Sequence, residues 1–153
     1  MSDPLVFMMG NFAAQFPTDR LYAKNHMWAQ RQEQRNCFRC GFSAYAVRLL
    51  QDVYFLDWTV DEGTTLLPKQ SIGEIESKKA ESSLYTPFSG FLTTFNPKLL
   101  KDPSYINVSP YADGWLFEIE GEGVELLSPP AYLEHLQAVW DITQRTIKGQ
   151  LNE

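Results

Sequence analysis

Apolar and polar residues alternate in short runs along most of this chain, and near the C-terminus the period lengthens to that of a helix. His26 to Gln30 sets Met27 and Ala29 against His26, Trp28 and Gln30, a weak two-residue period. Cys37 to Phe42 reads as a second strand, and Val53 to Trp58 is rich in strand formers. Gly90 to Phe95 follows, and Gly114 to Glu120 shows the clearest alternation. Turn signals separate these runs at Asp61-Glu62-Gly63, Pro68, Pro87-Phe88-Ser89-Gly90 and Gly121 to Gly123. Two short helices fit between strands. Ser43 is placed to cap Ala44 to Leu50, and Asn96-Pro97 opens a turn through Leu100 that Asp102-Pro103 closes.

Ser128-Pro129-Pro130 is a helix start, and Leu133, Leu136, Trp140, Thr143 and Ile147 then fall on one helical face that ends near Gly149. Core packing is the expected role of Trp140. Residues 1–20 show no clear period and are expected to form a loosely packed arm. Many short strands with helices at the edges predict a mainly β sandwich or flattened barrel. The expected organisation is an arm over 1–20, a β body over 21–128 and a C-terminal helix over 129–150 packed on that body.

The segment from Ser71 to Thr86 carries the candidate chemistry. Ile72 and Glu74 alternate with Gly73 and Ile75 on one arm, and Ser83 and Tyr85 alternate with Leu84 on the other. Between the arms, Glu76-Ser77-Lys78-Lys79-Ala80-Glu81 is polar except for one alanine, so a hairpin is predicted with two lysines at its tip. The centre lacks an Asn-Gly or Asp-Gly pair.

Composition narrows the function. At 44% hydrophobic residues, with Trp 4, Tyr 7 and Phe 10, the 153-residue chain can build a real core. A formal net charge of -6 and no basic run longer than Lys78-Lys79 argue against nucleic acid. The apolar run Leu5 to Met9 is too short for a signal peptide and follows Asp3, and no stretch approaches a membrane span. A cytoplasmic protein is expected. Cys37 and Cys40 have no second Cys pair to complete a zinc site, and an offset of three in a strand puts their thiols on opposite faces, so two unrelated thiols are expected and no metal.

The stretch Gly73-Glu74-Ile75-Glu76-Ser77-Lys78-Lys79-Ala80 resembles the lipoylation loop of the glycine cleavage H-protein family, usually written Glu-Ser-Val-Lys-Ala. Tyr22-Ala23-Lys24-Asn25-His26-Met27-Trp28 is similar to that family's Tyr-x-x-x-His-Glu-Trp. Tyr85-Thr86-Pro87-Phe88-Ser89-Gly90 matches its Tyr-x-Pro-x-x-Gly. Asp102-Pro103, Asn107, Tyr111 and Gly114-Trp115-Leu116 resemble its tail. The ordered set spans residues 22 to about 135. Three departures stand out: Met27 replaces glutamate, Lys78 replaces valine, and Leu50-Gln51-Asp52 replaces Leu-Gly-Asp.

The resemblance implies a barrel-sandwich hybrid of the lipoyl/biotinyl type and a lipoyl carrier without catalytic residues of its own. It implies covalent lipoate on Lys79, which stands before alanine and three residues after glutamate, with Lys78 as the alternative. Glu76, Ser77, Ala80 and Glu81 would be read by a lipoate-attaching enzyme. Biotin is disfavoured because no methionine flanks either lysine. The implied role is to shuttle the aminomethyl intermediate of glycine between glycine decarboxylase, aminomethyltransferase and dihydrolipoamide dehydrogenase, with a monomer expected. The alternatives are an H-like lipoyl carrier of another pathway, such as sulfur oxidation or a lipoyl relay, and a non-lipoylated interaction module.

Overall fold

The structure is a computed structural model that describes residues 3–34 and 36–152, apart from the side chains of Thr143 and of residues 145–152. Eleven strands and four helices are described. They are β1 (Leu5–Met9), β2 (Phe12–Phe16), β3 (Leu21–Tyr22), β4 (Met27–Arg31), β5 (Cys37–Phe42), α1 (Ala44–Leu50) and β6 (Val53–Trp58). After these come β7 (Thr65–Leu66), β8 (Ser71–Ser77), β9 (Glu81–Tyr85), β10 (Gly90–Phe95), α2 (Pro97–Lys101), α3 (Tyr105–Val108), β11 (Phe117–Glu120) and α4 (Pro129–Asn152).

The pairings are antiparallel, and three sheets result. The largest runs β3-β4-β5-β11-β10-β7, a second runs β6-β8-β9, and β1-β2 forms a ribbon. The six-stranded and three-stranded sheets bury one core between them. Phe38, Cys40, Leu92 and Ile119 come from the first and Ile72, Ile75 and Leu84 from the second. This is the mainly β architecture that the alternation predicts.

A second core lies on the outer face of β3 and β4. It joins Phe7, Met9, Ala14 and Phe16 of the ribbon to Tyr22, Trp28, Tyr45, Tyr132 and Leu136. Residues 5–16 are therefore no loose arm. Phe7 and Met9 on β1, and Ala14 and Phe16 on β2, point inward and are buried, while Val6 and Met8 face solvent. Gly10 takes a left-handed φ of 65° and lets the ribbon turn in two residues. The weak period of β4 has the same cause. Met27 and Ala29 enter the first core and Trp28 the second, so three successive residues are buried.

Two further expectations are adjusted. Only Phe117–Glu120 of the segment from Gly114 is strand. Trp115 N–H donates to Ala112 O, closing a turn, before Leu116 N–H donates to Cys40 O at 2.7 Å. Ser43 does precede α1, but its hydroxyl lies 2.9 Å from the Tyr132 hydroxyl instead of capping the helix. Tyr111 Oη takes over that work, accepting from Ala44 N–H and donating to Gln15 O, each at 2.8 Å. Cys37 and Cys40 are both buried free thiols, and burial pushes both thiol pKa values up. Among the described residues no His, Cys, Asp or Glu cluster could hold a metal, and no helix is long and apolar enough to cross a membrane.

Helix α4 is locked down by Tyr132. Its ring stacks on Tyr22 at 4.7 Å, and its hydroxyl lies 2.9 Å from both His26 Nδ1 and Ser43 Oγ. Leu136 is buried, Leu133 is partly buried, and Trp140 meets Phe7 edge-on at 5.9 Å, so Trp140 packs into this core as expected. Thr143 and Ile147 of the predicted apolar face lie outside the described side chains.

Burial, assisted by nearby His135, lowers the pKa of His26 from 6.5 to about 4. The unfolded chain takes up this proton near pH 6.5 and the folded one only near pH 4. Stability should therefore fall as pH drops through that window, by on the order of 3 kcal/mol in all, with no contribution above it. His26 has a left-handed φ of 71°, which Asn tolerates. Urea unfolding of His26→Asn between pH 4 and 7 should show a flatter pH dependence than the parent.

Candidate functional site: a lysine turn at the end of the smaller sheet

Register fixes the turn. Strand β8 pairs with β9 through Glu74 with Ser83, Ile75 with Ser82 and Glu76 with Glu81, leaving Ser77 to Ala80 to close the hairpin. Ser77 N–H donates to Ala80 O at 2.8 Å. The buried Ser77 hydroxyl then accepts from Ala80 N–H at 3.2 Å and from Lys79 N–H at 3.4 Å. A serine side chain thus satisfies amides that an Asn-Gly turn would handle through the backbone.

The tip is braced from outside. Lys78 N–H donates to the carbonyl oxygen of Asp52, in the link between α1 and β6, at 2.8 Å. Asn107 of α3 holds that link on both sides: its Oδ1 accepts from Val53 N–H at 2.9 Å and its Nδ2 donates to Gln51 O at 2.6 Å. Toward the other end of β8, a Cβ on Gly73 would come within 2.7 Å of Asp57 O, so glycine lets β6 lie close there. Turn, link and β6 form one unit.

Within that unit the Lys78 side chain is exposed and that of Lys79 is half-buried. Neither amine makes an ion pair or hydrogen bond with a described residue. Glu76 is half-buried, Glu81 is exposed, and the two face each other across the ladder. A primary amine held on a rigid turn, free of partners, is chemically a nucleophile for an activated carboxyl group.

The sequence pattern of the Glycine cleavage H-protein family matches residues 20–139. The chain belongs to the glycine cleavage H-protein family. It is 35% identical over 125 residues to a probable glycine cleavage system H protein of Haloarcula marismortui, covering 79% of this chain and 96% of that one. It is 37% identical over 120 residues to the H protein of Serratia proteamaculans, covering 76% and 92%. A crystal structure of a glycine cleavage system H protein from Mycobacterium marinum superposes with a TM-score of 0.66 at 30% identity, covering 80% of this chain and 98% of that one. The H-protein family is one of lipoate carriers and not of enzymes.

The match begins at residue 20, so the ribbon β1-β2 and the end of α4 lie outside it. Two departures from the family pattern acquire structural meaning. Met27, where the pattern has glutamate, is buried and lines a groove of about 250 Å³ between α1 and β9 with Phe42, Leu49, Ile75 and Leu84. Gln51, where the pattern has glycine, adopts φ 59° and ψ -147°, a region that glycine enters without strain and other residues enter at a cost of about 1–3 kcal/mol. Asn107 carries the brace for this strained link. Sequence reasoning found it as part of a motif but gave it no role, because its partners are backbone groups more than fifty residues away.

Gln51→Gly should raise stability by about 1 kcal/mol in urea unfolding, by relieving that strain. Asn107→Ala should speed amide hydrogen exchange at Lys78 at least tenfold, with exchange in β10 and β11 little changed, because it frees the acceptor at Asp52.

Proposed function

We propose that this chain is the lipoyl carrier of a glycine cleavage system and that Lys79 is the residue acylated. The observation that carries this reading is an amine that no described residue pairs with, on a turn held by Ser77, Asp52 and Asn107. Position favours Lys79 over Lys78, since it precedes Ala80 and follows Glu76 by three residues, as in the family pattern. The site fits the group, because amide formation needs an amine that gives up no ion pair, and Lys79, half-exposed on the turn, makes none with a described residue.

In that step the Lys79 ammonium first gives up a proton, and its positive charge goes with it. The freed Nζ lone pair attacks the carbonyl carbon of activated lipoate. The C–N bond forms, the activating group leaves with its bonding electrons, and the nitrogen loses a second proton to become the amide N–H. Bound lipoate would supply a redox-active dithiolane, able to accept an aminomethyl group, on an arm that reaches about 10 to 15 Å. The chain itself supplies the anchor. Glu76, Ser77, Ala80 and Glu81 are the residues that the lipoate-attaching enzyme would read. Glycine decarboxylase, aminomethyltransferase and dihydrolipoamide dehydrogenase are the enzymes that the arm would visit.

One observation favours a second reading, an H-like lipoyl carrier serving another pathway: Met27 puts an apolar side chain where the family pattern has a carboxylate. Loading of the lipoylated protein by glycine decarboxylase separates the two, since a carrier from another pathway would stay unloaded.

Intact mass after incubation with lipoate, ATP and a lipoate-attaching enzyme should show one lipoyl adduct on the wild type and on Lys78→Ala, and none on Lys79→Ala. An adduct that survives in Lys79→Ala moves the site to Lys78. No adduct on any form leaves a non-lipoylated interaction module.

A further inference from the structure

Strand β6 carries an irregularity beside the lysine turn. Val53 pairs with Ser77 and Phe55 with Glu76, so Tyr54 is an extra residue with no partner on β8. Such a bulge breaks the alternation of faces. Val53 is buried, but Tyr54 and Phe55 both reach solvent, 61% and 43% exposed. The two aromatic side chains thus stand in the strand next to the turn, and neighbouring strands lie only about 4.8 Å apart. The Lys78–Asp52 bond and the Asn107 brace fix their position relative to Lys79. Exposed Asp52 and Asp57 flank them in sequence, and Glu76 and Glu81 lie across the ladder. The result is an aromatic patch bordered by four carboxylates, two of which the turn lysines Lys78 and Lys79 formally balance, so the border keeps an acidic excess from Asp52 and Asp57.

Reach decides what covers this patch. An enzyme that serves the far end of a loaded arm can stand off by about 10 to 15 Å. The enzyme that forms the amide has no such freedom. Its reacting carbon must come within bonding distance of Nζ, about 6 Å from the turn's backbone at the full length of the lysine stem. Its surface must then lie against whatever adjoins the turn, and on the β6 side that is Tyr54 and Phe55.

We infer that the Tyr54–Phe55 bulge is a docking face for the enzyme that acylates Lys79, whose matching surface is an apolar patch ringed by basic side chains. This rests on the carrier reading of Lys79. Exposed aromatics of this kind supply contact area at low entropic cost, and the acidic excess from Asp52 and Asp57 steers a basic partner.

The test is steady-state acylation of the full chain by a lipoate-attaching enzyme with ATP and lipoate. Tyr54→Ser/Phe55→Ser should raise KM for the protein about tenfold and leave kcat within twofold. Tyr54→Phe/Phe55→Tyr should restore KM, and Val124→Ser, an exposed apolar residue on the loop before α4, should leave it unchanged. Amide exchange on the wild type should show protection of Tyr54 to Leu56 when the enzyme is added, a measurement that needs no variant. If the wild type is acylated at Lys79 while KM and exchange do not respond, the docking face is overturned and the carrier reading stands. If the wild type is never acylated at Lys79, both fall. A wild-type dimer that Tyr54→Ser/Phe55→Ser converts to monomer with unchanged KM would assign the patch to a second copy and overturn the proposal.

Discussion

One backbone hydrogen bond, from Lys78 N–H to Asp52 O, turns a hairpin tip into a fixed mounting point. A two-stranded ribbon in water is marginal by itself and frays first at its turn. Here β6 adds a third strand, and the link that enters β6 also takes the tip's outward-facing amide. The cost is strain at Gln51, whose carbonyl is held by Asn107. A group on a swinging arm gains precision from a stationary base, because the volume it sweeps is then set by the arm alone. The rigidity of the turn and the freedom of the lysine amine are two sides of the same design.

The rest of the molecule keeps that base in place through two cores that share one strand. Strand β4 gives Met27 and Ala29 to the inner core and Trp28 to the outer. The outer core then fastens the ribbon and α4 onto the body. Its polar centre is the Tyr132 hydroxyl, which sits between His26 and Ser43. Burying three such groups is tolerable because each has a hydrogen-bond partner, and His26 accepts the neutral form as the condition of being there. The outer layer falls partly outside the region that matches the H-protein family, since the ribbon precedes residue 20 and α4 runs beyond residue 139.

How far the sequence could be read follows from how each element is buried. Strand β8 shows its alternation from Gly73 to Ser77, but Ile72, expected on the face of Glu74, is buried in the same core as Ile75 because the register shifts at the start of the strand. Strand β4 gave a faint signal because both of its faces are covered. The ribbon is masked in the sequence because five apolar residues in a row hide an alternation in which Val6 and Met8 face solvent. Gly10-Asn11, a turn pair between two apolar runs, was the signal that could have revealed it. At the site, the lysines and their flanking residues were visible as a motif. Asp52 acts through its carbonyl, which leaves no mark in residue type, whereas Ser77 acts through its hydroxyl, so that a serine at the turn is itself the signal.

Charge at the turn bears on how partners tell the loaded carrier from the empty one. Glu76 and Glu81 oppose each other across the ladder, an arrangement that repels unless cations stand near. Lys78 and Lys79 formally balance them. The acylation proposed for Lys79 would remove one positive charge, so the four residues would pass from neutral to a single negative charge. With valine at position 78, as in the family pattern, they would start at one negative charge and finish at two. Lys78 therefore shifts both states by one unit and keeps a cation beside the arm after loading. A basic surface would bind the loaded form of this chain less tightly than it would a valine-bearing relative, and would release it more readily after acylation. Because the shift is the same for both forms, Lys78 weakens the attraction of a basic surface before and after loading alike, and the step of one negative charge that marks loading on the proposed reading of Lys79 keeps its size.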